Sequence, residues 1–120
     1  TDKLPIKIFI LNNQYMGMVR QWQELLHEKN YSESYTAALP DFVKLAEAYG
    51  CVGIQATKPD ELDEKINEMI NTKEPVIFDC RVDPAENCFP MIPSGKPHNQ
   101  MLLGPEDEKE EVSDEGKTLV

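Results

Sequence analysis

Cysteine and histidine are scarce in this sequence. Its 120 residues include three cysteines, with no Cys-x-x-Cys pair, and two histidines, His27 and His98, that lie far apart. This odd set of cysteines suggests neither a disulfide framework nor a zinc site. Two distant histidines also disfavour a histidine-based metal cluster or a nucleophilic triad. Because the cysteines do not suggest a disulfide framework, we expect the protein to reside in a reducing compartment.

Long apolar runs and clusters of basic residues are absent as well. No stretch approaches the roughly 18 apolar residues of a membrane helix, and the first residues do not follow the order of a secretory signal. The net charge is −10, and seven acidic residues fall within residues 105–120. Nucleic-acid binding draws on clustered positive charge. We expect a soluble protein that binds neither membranes nor nucleic acid, with an acidic, mobile tail at 105–120.

Three short apolar runs predict β-strands. Residues 6–11 are rich in β-branched side chains and end at two asparagines, and residues 52–56 and 76–82 show the same character. These runs alternate poorly between apolar and polar residues. Both faces of the strands are therefore expected to be covered, as in a parallel sheet between helices.

Helical periodicity fills the intervals between these strands. From Tyr15 onward, apolar residues recur every three or four positions, which predicts a helix over residues 17–28. The apolar positions are Tyr15, Met18, Val19, Trp22, Leu25 and Leu26. A second helix follows Pro40 and ends at Gly50. A third ends near Asn71, with the Thr57 oxygen as its cap, and buries Leu62, Ile66, Met69 and Ile70. The order β-α-α-β-α-β predicts an α/β fold, a parallel sheet with flanking helices that is part of a larger domain.

A pair of asparagines, Asn12 and Asn13, follows the first strand, where open α/β sheets bind ligands. A carboxamide oxygen is a hard donor that Mg²⁺ accepts beside a carboxylate, waters and phosphates. Gly17, at the start of the next helix, lets backbone approach a diphosphate. Paired asparagines are also common in turns, because asparagine tolerates left-handed geometry. From these residues alone, a ligand site and a simple turn both stay open.

Three segments together resemble a known family. In chain order they read ILNNQYMGMVRQWQELL, PDFVKLAEAYG and FPMIPSG, and the similarity extends to about Leu103. The sequence resembles the C-terminal part of the catalytic large subunit of acetolactate synthase, which uses thiamine diphosphate. The resemblance implies that residues 1–104 are the C-terminal portion of a thiamine-diphosphate-binding domain. It also implies an enzyme that decarboxylates pyruvate and joins the product to a second 2-oxo acid, pyruvate or 2-oxobutyrate, in branched-chain amino-acid biosynthesis.

The same resemblance assigns ligands to the residues after the first strand. The Asn13 side-chain oxygen and the Tyr15 backbone carbonyl correspond to ligands of Mg²⁺. The family's residues that contact thiamine diphosphate correspond to these positions: Asn13, Gln14, Tyr15, Gly17 and Met18. The family's Gly-Asp-Gly motif, which supplies a carboxylate ligand, does not occur in these residues, and the glutamate that activates the cofactor belongs to another domain. No catalytic residue is therefore assigned here, and the 120 residues are expected to be inactive alone.

Trp22 and Ser94 resemble two positions on the family's substrate channel. From the residues themselves, Trp22 is equally a core residue on an amphipathic helix, and Ser94 is equally part of a turn. The resemblance further implies FAD, a second large subunit and a regulatory small subunit as partners, and 2-oxo acids as substrates. The expected location is the cytoplasm of a bacterium or an organelle of a eukaryote.

Two rival interpretations remain. The first is another thiamine-diphosphate decarboxylase or oxidase, which shares the Asn-Asn element. The second is a non-catalytic α/β module that binds a partner through Tyr31, Tyr35 and the acidic end. Asp79, inside the last apolar strand, is expected to be a structural, hydrogen-bonded carboxylate, because buried charges persist mainly when they are paired.

Overall fold

The computed structural model describes residues 4–105. In chain order its strands and helices are β1 (Lys7–Asn12), α1 (Gly17–Leu26), α2 (Phe42–Ala48), β2 (Val52–Ala56), α3 (Leu62–Asn71) and β3 (Val76–Arg81). Two short 3-10 helices cover Pro59–Glu61 and His98–Gln100. The order β-α-α-β-α-β is confirmed. The ends of the elements lie within two residues of the sequence prediction, except that the 3-10 helix Pro59–Glu61 takes the place of the predicted first turn of α3. The acidic tail predicted for 105–120 lies, except for residue 105, outside the described residues.

The described residues divide into two compact units. The sheet unit contains the residues up to Gln14 together with Ala37–Pro84, and hence the three strands, α2 and α3. The loop unit contains Tyr15–Thr36 together with the residues from Ala85 onward, and hence α1.

The three strands form one parallel sheet in the order β1-β3-β2. Phe78 on the central strand is the partner of Phe9 on one side and of Ile54 on the other. Since side chains alternate between the two faces of a strand, these three residues share one face of the sheet. The rings of Phe9 and Phe78 meet edge to face, with their centroids 4.6 Å apart. The parallel α/β fold expected from the sequence is confirmed.

Helices cover both faces of the sheet. On one face the buried core consists of Ile54, Ala56, Val76, Phe78 and Cys80, and α3 packs Leu62, Ile66 and Met69 against it. On the other face α2 approaches β2 so closely that a Cβ on Gly53 would lie 2.8 Å from the backbone of Val43. Glycine at this position is therefore what permits the helix to pack against the strand.

The first strand is less covered than its sequence predicts. Ile8, Phe9 and Leu11 are exposed, and Leu11 keeps 68% of its surface accessible. The expectation that both faces of this strand are covered is wrong for the described residues. The reason is that the two helices of this unit pack against β2 and β3 and leave β1 without a helix; β2 is also an edge strand, but it is covered. Ile70, predicted to be buried by α3, is also exposed.

Local signals at the helix ends explain where α2 and α3 begin and end. The Asp41 side chain accepts hydrogen bonds from the amides of Val43 and Lys44, both at 3.1 Å, and Gly50 ends the segment with φ +70°. The glycine terminator is confirmed. The predicted Thr57 cap is wrong, because the carboxylate that accepts the free amides of Thr57 and Lys58 belongs to Glu61.

In the loop unit, α1 turns its polar side inward. Arg20 and Gln21 are buried together with Leu26, whereas Met18, Val19 and Trp22 are exposed. The predicted apolar face of this helix is therefore wrong for three of its six residues, while Leu26 is buried as expected. The physical reason lies in residues 85–88, whose backbone groups need partners. Arg20 donates to the Ala85 carbonyl at 2.7 Å, and Gln21 both donates to the Cys88 carbonyl and accepts from its amide.

The irregular segment after β3 is packed, as its scattered apolar residues indicate. Met91 and Leu102 form an antiparallel bridge with two backbone hydrogen bonds of 2.8 and 2.9 Å, and Leu102 is buried. Among residues 4–105, no helix is both long and apolar enough to cross a bilayer.

Candidate cofactor site

The carboxyl end of β1 carries a buried amide that shapes the chain after it. Asn12 is only 4% exposed. Its Nδ2 donates to Asp79 Oδ1 at 2.8 Å, and its Oδ1 accepts from the Gln14 amide at 3.1 Å. Gln14 has φ +63°, so the chain bends here through a left-handed residue held by a side-chain-to-backbone bond. The turn that the asparagine pair suggests is therefore present.

Asn13, the predicted Mg²⁺ ligand, lies inside this turn and is partly buried. Its neighbours in the chain, Asn12 and Gln14, are joined by the bond just described. A turn at a strand end and a ligand site are compatible, because the turn fixes the backbone from which the Asn13 side chain extends. The ligand role of Asn13 stays a prediction.

Asp79 connects three polar side chains on one face of the sheet. Besides the bond from Asn12, its other oxygen, Oδ2, accepts from Gln55 Nε2 at 2.9 Å and from Arg81 Nε at 3.2 Å. The register places Gln55 directly beside Asp79, and Asn12 two residues beyond the partner of Asp79 on β1. The carboxylate is 1% exposed and paired on both oxygens, which confirms a structural, hydrogen-bonded group. We call Asn12, Gln55, Asp79 and Arg81 the Asp79 network.

The loop unit holds the residues that follow this turn in the chain. Tyr15 forms an antiparallel bridge with Tyr35, and their ring centroids lie 5.1 Å apart. The Met16 amide donates to the Ser34 carbonyl at 2.8 Å. These contacts fix the backbone of residues 15 and 16, which includes the carbonyl predicted to bind Mg²⁺.

The first turn of α1 begins at Gly17. Its N-cap residue, Met16, makes no side-chain capping bond, and the first turn contains no acidic residue. The positive end of a helix dipole is therefore left without a negative side chain of its own. Gly17 and Met18, both predicted to contact the cofactor, lie at this end, and Met18 is 54% exposed.

Trp22 and Ser94 both lie in the loop unit. Trp22 is 39% exposed, so the alternative of a fully packed core residue is wrong within the described chain. Ser94 lies in a turn in which the Lys96 amide donates to the Pro93 carbonyl at 3.0 Å and Gly95 has φ +79°. The turn interpretation of Ser94 is confirmed, and a channel role for either residue stays a prediction.

Comparison with known proteins decides the family. Residues 1–80 match the family model described as thiamine pyrophosphate enzyme, C-terminal TPP binding domain. The chain belongs to this family. It is similar to acetolactate synthase large subunits, which confirms the resemblance carried by its three segments.

Three relatives show how far this similarity extends. The acetolactate synthase large subunit of Cyanidium caldarium is 50% identical over 101 residues, which is 83% of this chain and 17% of that protein. The large subunit of Haemophilus influenzae is 43% identical over 88% of this chain and 19% of its own length. The mitochondrial catalytic subunit of Saccharomyces cerevisiae is 42% identical over 90% of this chain and 16% of its own length. The chain thus spans less than a fifth of these curated relatives.

The residues of this TPP-binding domain fit the cofactor chemically. A diphosphate is compatible with a helix end that has no acidic side chain in its first turn. An amide oxygen on a fixed turn and a main-chain carbonyl are hard donors suited to Mg²⁺. Residues 4–105 contain no group of three or more His, Cys, Asp or Glu side chains arranged to hold a metal. The predicted ligand atoms are an amide oxygen of Asn13 and the main-chain carbonyl of Tyr15, so the prediction does not require a cluster of His, Cys, Asp or Glu side chains.

Proposed function

We propose that this chain is part of an acetolactate synthase large subunit. The observation that carries the proposal is the identity of 50% over 101 residues with one such subunit, together with the match to the TPP binding domain. The proposed reaction decarboxylates pyruvate and joins the two-carbon product to a second 2-oxo acid, pyruvate or 2-oxobutyrate. It belongs to branched-chain amino-acid biosynthesis.

Thiamine diphosphate and Mg²⁺ are the proposed cofactors at the turn after β1. The Asn13 side-chain oxygen and the Tyr15 carbonyl hold the metal, while Gln14, Gly17 and Met18 contact the cofactor. When bound, thiamine diphosphate supplies the electron sink that lets a 2-oxo acid lose carbon dioxide. The protein's part is to fix the diphosphate and the metal and to orient the reactive ring. The start of α1 supports this assignment, because its first turn has no acidic residue and its dipole favours the diphosphate charge.

Trp22 and Ser94 are proposed to line the path by which 2-oxo acids enter. The exposure of Trp22 supports this role, since a channel residue must present its ring to a ligand rather than to the core. FAD, a second large subunit and a regulatory small subunit complete the proposed enzyme. Its location is the bacterial cytoplasm or an organelle of a eukaryote.

The decisive experiment is Asn13→Ala in the complete acetolactate synthase polypeptide that carries this sequence. We expect a large loss of affinity for Mg²⁺ and thiamine diphosphate, and activity that high concentrations of both restore only in part, because a hard oxygen ligand is gone. Calorimetric titration of both ligands and the rate of acetolactate formation measure the effect. Asn71→Ala, an exposed amide at the end of α3, is the matched control and keeps wild-type values.

The outcomes also separate the rival functions. Wild-type Mg²⁺ affinity in Asn13→Ala would contradict the assigned site. Acetaldehyde or acetyl phosphate in place of acetolactate would identify another thiamine-diphosphate decarboxylase or oxidase. A wild-type protein that binds neither Mg²⁺ nor thiamine diphosphate would leave the non-catalytic module as the explanation.

A further inference from the structure

The orientation of the Asn12 carboxamide is dictated by Asp79. A carboxylate only accepts hydrogen bonds, so the amide nitrogen of Asn12 has to face it, here at 2.8 Å. The amide oxygen then faces the opposite way and accepts from the Gln14 amide at 3.1 Å. One carboxylate thereby decides which atom of Asn12 meets the backbone of the turn.

Asp79 is itself unable to rotate away. Its second oxygen is held by Gln55 and Arg81, and the residue is 1% exposed. Asp79 and Asn12 are both buried, whereas Gln55 and Arg81 are reached by solvent. Rotation of the Asp79 carboxylate would leave its desolvated oxygens unpaired, which is why its orientation is fixed. The Asp79 carboxylate on the central strand therefore fixes the orientation of the Asn12 carboxamide at the end of β1.

The turn needs this support. Gln14 has φ +63°, a conformation that residues other than glycine adopt at a cost and that persists when surrounding contacts hold it. The bond from its amide to Asn12 Oδ1 is such a contact. Asn13 stands between the two bonded residues, so its Cα is placed by the same arrangement.

We infer that Asp79 is a positioning residue for the proposed Mg²⁺ site, acting through the Asn12 carboxamide on the turn that carries Asn13. The inference rests on the proposed function. Supporting groups behind a metal ligand are known to set its orientation and to tune affinity. Both Asp79 oxygens are already bonded to side chains of the protein, so its proposed role is to hold the backbone from which the ligand extends.

The test compares two substitutions of Asp79 in the complete acetolactate synthase polypeptide. Asp79→Leu removes both acceptors at similar volume, so Asn12 loses its orientation, and we expect Mg²⁺ affinity to fall roughly 10- to 100-fold. Asp79→Asn keeps an oxygen for Asn12 Nδ2 but turns an NH2 donor toward Gln55 and Arg81, so we expect a loss that is smaller than that of Asp79→Leu. Asp63→Leu, at an exposed position on α3, is the control and leaves the affinity unchanged. Mn²⁺ binding followed by electron paramagnetic resonance, and the Mg²⁺ dependence of thiamine diphosphate binding by calorimetry, provide the readouts without turnover.

A double-mutant cycle tests whether Asp79 acts through Asn12. We expect Asn12→Ala to weaken Mg²⁺ binding about as much as Asp79→Leu, and Asp79→Leu to add little in the Asn12→Ala background, because both remove the same link. Additive losses would overturn the inference. If Asp79→Leu does not fold, two other results decide. Wild-type affinity in Asn12→Ala, or a loss in Asp79→Asn that exceeds the loss in Asn12→Ala, would contradict the proposed route.

The result separates this inference from the function on which it rests. Asn13→Ala with unchanged Mg²⁺ affinity would overturn the proposed site, whatever Asp79 does. Suppose that Asn13→Ala weakens Mg²⁺ binding while Asp79→Leu folds and binds Mg²⁺ like the wild type. That result would overturn only the positioning role of Asp79. A KM for pyruvate that rises with Asp79→Leu at saturating Mg²⁺ and cofactor would likewise contradict a role confined to the metal site.

Discussion

The sheet unit and the loop unit bury different kinds of side chain. In the sheet unit the buried cluster is apolar, from Ile54 to Cys80, with the Asp79 network as its polar exception. In the loop unit the buried residues include Arg20, Gln21 and Ser34 beside Leu26 and Leu102. Regular strands satisfy their backbone groups within the sheet, whereas an irregular segment needs side chains to satisfy them. The sheet unit is therefore stabilised mainly by packing, and the loop unit by hydrogen bonds from α1.

The largest effect is expected from breaking those bonds at Arg20. Arg20→Leu removes the donor to Ala85 and Asn87 and leaves the Glu24 carboxylate without its ion-pair partner. Loss of one member of a buried charge pair destabilises by about 3 kcal/mol. Amide hydrogen exchange should show faster exchange in residues 85–88, and urea unfolding should show the loss of stability.

An exposed ion pair in the sheet unit is the control for Arg20. Lys44 and Asp41 lie 3.4 Å apart, with 79% and 50% of their side chains exposed. Lys44→Ala should change stability by less than about 1 kcal/mol, because solvent screens such pairs. Equal effects of Arg20→Leu and Lys44→Ala would contradict the view that polar contacts stabilise the loop unit.

Packing of the sheet unit is tested at Gly53. A methyl group there would lie 2.8 Å from the Cα and the carbonyl oxygen of Val43, so Gly53→Ala forces α2 away from β2. Overpacking of this kind costs about 2 kcal/mol. Urea unfolding followed by circular dichroism measures the change. Gly104→Ala meets nothing within 4 Å and should leave the midpoint unchanged; a neutral Gly53→Ala would show that the helix approaches less closely.

The exposed edge of the sheet unit should make the 120-residue chain self-associate. Among the described strands β1 pairs only with β3, and Leu11 is 68% exposed. Exposed apolar edge strands favour intermolecular pairing, which a lysine suppresses. Sedimentation velocity should show less association for Leu11→Lys than for the original chain. Tyr49→Lys, at an aromatic residue that is 79% exposed but outside the strands, is the control. A monomer with a sharp melt would contradict this prediction.

The smallest effect concerns the start of the segment that leads into α3. Hydrogen bonds from the backbone amides of Thr57 and Lys58 lower the pKa of the Glu61 carboxyl from 4.5. A carboxyl with a lowered folded pKa stabilises the protein above its unfolded pKa, and this contribution is lost as pH falls through the folded pKa. Glu61→Gln should therefore lower the melting temperature slightly at neutral pH and flatten its fall in acid. Thermal melts from pH 7 to pH 3 measure this, and an unchanged pH profile would contradict the cap.

What could be predicted from the sequence differs between the two units for a physical reason. The strands at 52–56 and 76–82, and the end of α2 at Gly50, follow from local composition and periodicity, which act over a few residues. The inward side of α1 does not, because Arg20 and Gln21 are buried by bonds to residues 85–88, more than sixty positions away. The Glu61 cap was missed for a local reason, since the Thr57 hydroxyl donates to the Glu61 carboxylate and does not accept from a first-turn amide.

The sequence by itself determined the parallel α/β fold, the family and the position of the asparagine pair at a strand end. Apolar runs, helix terminators and three family segments are all local features of the chain. Only the tertiary structure decided that Asp79 orients Asn12, because the register of β1 against β3 brings together residues 67 positions apart. It also decided that β3 lies at the centre of the sheet, with β1 and β2 at its edges. Strand order follows from how the helices cross and pack, which no short segment specifies.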